Sequence, residues 1–166
     1  MQLGKIEKKR RWVRCLLRRL DGTQEVNAYA LALILTEMQF RGILLRTCEI
    51  AWCAILIYCF RKEPTLTVGA CQVGFRFWSR RFGRRSILVL LATFDNVSSY
   101  NVCCDYLSQR PIGDIRMLLI NYNGRPSPLY VRGFHAHLSL VLSELRRYTL
   151  NRDRQFGSVC SELERA

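Results

Sequence analysis

The sequence predicts an α+β fold: a single domain with a small mixed or antiparallel sheet packed against helices. Three observations lead there. Helical spacing of apolar residues marks both ends of the chain, continuous apolar runs containing β-branched residues fill its middle, and the two kinds of segment alternate. With 166 residues and an apolar content of 49%, the chain has the size and composition of one ordinary globular domain. Residues 1–150 are expected to form that domain, opening with a basic N-terminal helix, and residues 151–166 to form a polar C-terminal tail.

Taken in order, Arg11 to Leu20 puts Val13, Leu16, Leu17 and Leu20 on one helical face and Arg11, Arg14 and Arg18 on the other. Asn27 is suited to cap a second helix from Ala28 to about Gly42, apolar almost all round and therefore buried. "EIAWCAILIYCF" (49–60) and "RRSILVLLATF" (84–94) read as buried strands, with an extended stretch at "TLTVGACQVGFRFW" (65–78) between them. "VSSYNVCCDYLSQ" (97–109) reads as a short helix ending before Pro111. "DIRMLLINYNGRPSPLYVRGF" (114–134) reads as a hairpin turning at Asn123-Gly124. Leu138 to Leu150 closes the domain as an amphipathic helix with Leu138, Val141, Leu142 and Leu145 inward and Arg146 and Arg147 near its C-terminus, where cations suit the helix dipole.

Charge narrows the function. There are 26 Lys plus Arg against 13 Asp plus Glu, a net charge of +13, and only Lys5, Lys8, Lys9 and Lys62 are lysines. Guanidinium grips phosphate bidentately and stacks on rings. A codon bias toward arginine explains the Arg:Lys ratio but not the shortage of acids. The densest stretch is "GFRFWSRRFGRR" (74–85), five arginines and four aromatics with no carboxylate. Arg76, Trp78, Arg80, Arg81, Arg84 and Arg85 are its candidate contacts, with Trp78 stacking on a base and the arginines meeting phosphates. Arg10, Arg11, Arg14 and Arg18 form a second basic segment on the N-terminal helix.

Val68 to Arg85 also resembles, over eighteen positions, the helix-turn-helix of the arabinose-regulator family of transcription factors, which places Val-Gly-Phe before an aromatic-Ser-Arg-x-Phe run. Here Phe77-Trp78-Ser79-Arg80-Arg81-Phe82 follows Gly74-Phe75 several residues too early. The residues that would begin a recognition helix are missing, so no family is assigned.

No motif names a reaction. GxGxxG and GxxxxGK[ST] are absent, no CxxC pair exists, and His137-Leu138-Ser139 is a solitary H-x-S. A zinc site assembled from Cys103 or Cys104 with His135 and His137 is one metal candidate, while Asp95, Asp105 and Asp114, the carboxylates a two-metal site would need, share no recognisable spacing; neither metal nor cofactor is expected. The cysteines are expected to be mostly reduced, small core residues, because Met1 to Leu20 is interrupted by arginine before it reaches the length of a secretory apolar core. The longest uncharged apolar run, Ile50 to Phe60, is too short to span a bilayer. These readings converge on a non-catalytic nucleic-acid-binding accessory or regulatory protein of the cytoplasm or nucleus, of the kind found in viral, phage or plasmid genomes, with RNA or DNA as partner and a homodimer as an open option. The competing reading is a peripheral membrane or protein-interaction module, in which the N-terminal helix lies on anionic lipid with its leucines down.

Overall fold

A computed structural model describes residues 2–20, 27–82, 87–109, 115–123 and 126–163. Eight helices and one hairpin follow one another among these residues: α1 (Gln2–Arg19), α2 (Ala28–Phe40), α3 (Ile43–Tyr58), β1 (Thr67–Val68), β2 (Val73–Gly74), α4 (Phe75–Phe82), α5 (Ile87–Ala92), α6 (Asn96–Ser108), α7 (Ile115–Asn123) and α8 (Pro128–Leu163). The fold is α+β as expected, with a two-stranded antiparallel sheet, but helices dominate it. The sheet is also much smaller than the apolar runs suggested.

The second helix is the centre of the molecule. The Asn27 side chain accepts from the Tyr29 and Ala30 amides at 3.0 and 3.1 Å, filling two of the donor positions that a helix start leaves open. The eight residues from Ala30 to Glu37 are then all buried. Helices α8 and α6 pack along α2, α1 packs against α8, and α3 packs against the hairpin and α5. α1 contributes Val13, Leu16 and Leu17, each at most 2% exposed, so the spacing read from the sequence identifies its inward face.

Two expected strands and an expected hairpin are helices instead. Residues 50–60 fall largely in α3, whose inward positions Ile50, Cys53 and Ile57 follow helical spacing; the opposite face is apolar too, which hides the period. "ILVLLA" is the short helix α5, where leucine and alanine outweigh Ile87 and Val89 in local preference. The expected hairpin at 114–134 is the pair α7 and α8. Ser127 caps α8, its Oγ accepting from the Tyr130 amide at 3.2 Å, and Pro128 takes the first helical position, where it loses no hydrogen bond. α8 then continues past Leu150 to Leu163.

The one hairpin pairs Thr67 with Gly74 and Val68 with Val73. Its turn uses Gly69 at φ +80°, and a Cβ there would lie 2.9 Å from the Trp78 ring and 3.3 Å from the Thr93 carbonyl oxygen, so glycine is required twice over. The Gln72 side chain locks the turn, donating to the Gly69 carbonyl at 3.1 Å and accepting from the Thr67 hydroxyl at 2.8 Å. Since Val68 to Gly74 forms this hairpin, α4 is preceded by strands, and no helix-turn-helix is built over Val68 to Phe82.

Polar side chains join the helices at the core. The Thr36 hydroxyl donates to the Ala32 carbonyl at 2.7 Å, which leaves its oxygen to accept from Nδ1–H of His137 at 2.9 Å; Nε2 of His137 then accepts from Lys9 Nζ at 2.7 Å. That chain sets a single tautomer for a histidine only 3% exposed. Burial, reinforced by the Lys9 charge, lowers its pKa from 6.5 to about 4. Between these two values the unfolded chain binds a proton that the folded chain refuses, so the neutral ring contributes stability that is present above about 6.5 and lost as pH falls toward about 4. Denaturant unfolding between pH 7 and pH 4 is expected to lose up to roughly 3 kcal/mol from this group, and His137→Gln should flatten that part of the profile. A profile unaltered by the substitution would mean that the ring is already solvated.

Candidate functional site

The central stretch is rearranged by folding. It forms α4, which turns two of its rings fully inward: Phe75 and Trp78 are buried, Phe77 is partly buried, and the exposed Phe82 stacks on Trp78 with centroids 5.9 Å apart and planes 13° off parallel. Trp78 is therefore a core ring with no face open to a base, contrary to its assignment as a stacking platform. Its arginines acquire carboxylates from distant segments. Arg76 lies 3.5 Å from Glu63, and Arg81 pairs with Asp105 of α6. Arg80 is exposed and has no ion-pair partner among the described residues. Arg84 and Arg85 lie outside the described residues.

The N-terminal basic segment is brought together with α8, and the link is an acid that its charge pattern does not reveal. Glu144 continues the inward stripe of α8 that includes Phe134, His137 and Val141, and it is only 1% exposed. Arg14 Nε donates to it at 2.9 Å, while Arg10 and Arg147 each approach it at 3.6 Å. Arg14 also reaches Glu7 at 3.2 Å. Three guanidiniums thus converge on one buried carboxylate. Beside them a cavity of about 210 Å³ is lined by Arg14, Arg18, Glu144, Arg147 and Tyr148. Arg18, which lines it, and Arg11, exposed on the same helix, have no ion-pair partner among the described residues. The inward position of Glu144, though not its partners on α1, is visible in the sequence, because Glu144 lies three residues after Val141 and seven after His137. Counting only apolar residues in the stripe conceals it.

The same packing removes the lipid-facing role considered for α1. Leu16 and Leu17 are buried in the core, where α1 closes on α8, and are not free to lie on a membrane.

Metal and thiol candidates separate in space. Both ring nitrogens of His137 are engaged by Thr36 and Lys9, and among the described residues no three His, Cys, Asp or Glu side chains are grouped to hold a metal ion. The seven described cysteines are unpaired, but they are not all core residues: Cys53, Cys71 and Cys103 are buried, whereas Cys15, Cys48 and Cys59 are exposed. Burial pushes the Cys53 thiol up to about 11 and the Cys71 thiol up to about 12, which keeps both protonated and inert at neutral pH.

A second buried network holds α2 to its neighbours. The Tyr130 hydroxyl donates to Glu37 at 2.6 Å, Arg41 lies 3.8 Å from Glu37 and 2.5 Å from Glu49, and Gln72 donates to Glu49 at 3.1 Å. Burial raises the Glu37 pKa, and the hydrogen bond from Tyr130 and the charge of Arg41 oppose the shift.

No family model, no curated protein and no solved structure matches the chain.

Two outcomes are expected from this geometry. Trp78→Leu should cost about 2–3 kcal/mol of stability while leaving any ligand affinity per folded molecule unchanged; equal melting temperatures with a loss of binding would place the ring at a surface instead. A thiol reagent applied to the native protein, followed by peptide mass mapping, should label Cys15, Cys48 and Cys59 well before Cys53, Cys71 and Cys103. Rapid labelling of Cys71 would contradict its burial.

Proposed function

We propose that this chain is a non-catalytic nucleic-acid-binding protein, acting through phosphate contacts centred on α1 and α8 rather than on the central arginine-aromatic stretch. The carrying observation is the cavity lined by Arg14, Arg18 and Arg147. The one carboxylate among its described lining residues, Glu144, is already held by arginine, so the cationic excess remains available to an added anion. Arg11 extends the same helix surface, and the net charge of +13 supplies the long-range attraction that brings a polyanion to it. Tyr148 places an aromatic ring among these cations, the combination first sought at Trp78. Backbone binding of this kind fits an accessory or regulatory protein, with RNA or DNA as the partner.

Fluorescence anisotropy with single- and double-stranded DNA and RNA probes tests the reading. Arg18→Gln with Arg147→Gln leaves Arg14 and Arg10 on Glu144, so the fold should be preserved. Affinity should fall, and the slope of log K against log salt should flatten by about 0.9 for each phosphate no longer neutralised on duplex DNA, or about 0.7 on single strands. An unchanged slope in a folded variant refutes this site, and the absence of binding to all four probes refutes the function.

A further inference from the structure

α3 has two apolar faces, and only one is covered. Ile50 and Cys53 are 8% and 0% exposed and face the core. On the opposite side Leu44 is 80% exposed, Trp52 49%, Ile55 41% and Tyr58 54%, followed by Phe60 at 57%, with the Cys48 thiol exposed in the same row. Positions 44, 48, 52, 55 and 58 recur at helical spacing, so these residues form one continuous stripe along the helix. Monomeric proteins rarely leave so large a contiguous apolar surface in water without a use for it.

Charge selects the occupant. Glu49 is the only acid between Ile43 and Lys62, and it is turned away from the stripe, bound by Arg41 at 2.5 Å and Gln72 at 3.1 Å. At the C-terminal end of the stripe the chain turns through Arg61 at φ +50°, and the Lys62 amide donates back to the Leu56 carbonyl at 2.8 Å. Arg61 and Lys62 are exposed there and have no ion-pair partner among the described residues. An apolar stripe with aromatic residues and a cationic end, free of exposed acid, complements an anionic phospholipid surface. A second copy of the chain fits less well, because each copy carries +13 and the one carboxylate next to this face, the half-buried Glu63, already lies 3.5 Å from Arg76. The helix has 16 residues and is about 24 Å long, against a hydrocarbon core of about 30 Å. No helix among the described residues is long and apolar enough to cross a membrane. The geometry therefore has α3 lying in the plane of the interface.

We propose that α3 docks this protein on anionic membrane surfaces, with Leu44, Trp52, Ile55 and Tyr58 entering the headgroup boundary and Arg61 and Lys62 meeting lipid phosphates. The inference is independent of the nucleic-acid reading, since no residue is shared. Co-sedimentation of the full chain with vesicles of equal parts phosphatidylcholine and phosphatidylserine should show binding that is much weaker with phosphatidylcholine alone. Vesicles should shift tryptophan emission to the blue, and Trp52→Phe should abolish the shift, because Trp78 is already buried and Trp12 half-buried. Leu44→Ser, at a site that contributes little to the core, should lower vesicle affinity about tenfold without changing the melting temperature, and Arg61→Gln with Lys62→Gln about thirtyfold. Arg18→Gln with Arg147→Gln should leave most vesicle binding intact, and Leu44→Ser should leave nucleic-acid binding intact, so either proposal can fail alone. Absence of vesicle binding overturns this one, as does binding indifferent to Leu44→Ser. Sedimentation equilibrium revealing a homodimer that Leu44→Ser dissociates would assign the stripe to a second copy instead.

Discussion

Everything in this fold is arranged around the need to cover α2 on all sides. A helix whose residues from Ala30 to Glu37 are all buried cannot rest on one partner, because a single neighbouring helix shields only one face. α8 runs along it, α6 lies on another side, and the Asn27 amide donates to the Tyr100 hydroxyl of α6 at 2.8 Å, so even the start of α2 is tied to its cover. The remaining elements attach to this assembly rather than to α2 alone. α1 closes against α8, and the hairpin and α4 close against α6.

Covering α2 also means accommodating its polar residues, and this governs where the charges go. Thr36 and Glu37 are buried with the leucines, and each finds its partner on α8, His137 for one and Tyr130 for the other. Two hydrogen bonds, from adjacent residues of α2 to residues about two turns apart on α8, fix the rotation and register of α8 against α2 more tightly than apolar contact can, since leucine packing tolerates sliding and a buried polar pair does not. With α8 so placed, Glu144 falls beneath α1 and draws Arg10, Arg14 and Arg147 to it. The scarce acids are thus engaged at the seams between elements: Glu144 between α1 and α8, Glu49 beside the hairpin, and Asp95 3.0 Å from Arg19. A chain with 13 acids and 26 bases that commits acids inward leaves its cationic excess outside, which is how a modest imbalance in composition becomes a positive surface.

The legible parts of the sequence are those where one face of an element differs from the other. α1, with arginines opposite Val13, Leu16 and Leu17, and the helix start at Asn27 follow from spacing and capping chemistry alone, whereas the Asp95 cap of α6 is seen only in the structure. α3 and α5 are misread as strands because uniformly apolar runs carry no period, and α7 and α8 as a hairpin because Asn-Gly marks a hairpin as readily as it follows a helix. Ser127-Pro128 is the stronger signal there, and it points to a helix start. At the candidate site, Arg10, Arg11, Arg14 and Arg18 are visible as a cationic face. Their meeting with Glu144 is not, since it joins residues 130 positions apart. The role given to Trp78 fails for a related reason: local sequence shows that cation and ring are adjacent, but on a helix adjacent residues point in different directions, so Arg80 can face water while Trp78 faces Gly69.

That distinction bears on α3 most of all. Helical spacing is lost in "IAWCAILIYCF" because the outward face is as apolar as the inward one, and a helix that served only to cover the core would gain nothing from such an exterior. Serine, lysine or glutamate at Leu44, Trp52 and Ile55 would leave the packing of Ile50 and Cys53 intact and lower the tendency to aggregate. The hidden period and the exposed stripe are therefore the same fact observed twice, once in the sequence and once in the fold. Local rules give way where a residue serves something outside the folded chain. On the two proposals made above, the arginine cavity and the α3 stripe would both be departures of that kind, one an excess of charge and the other an excess of apolar surface. They lie on elements with different supports, α1 on α8 and α8 on α2 for the cavity, the hairpin and α5 for α3, which lets one small domain present two chemically different faces.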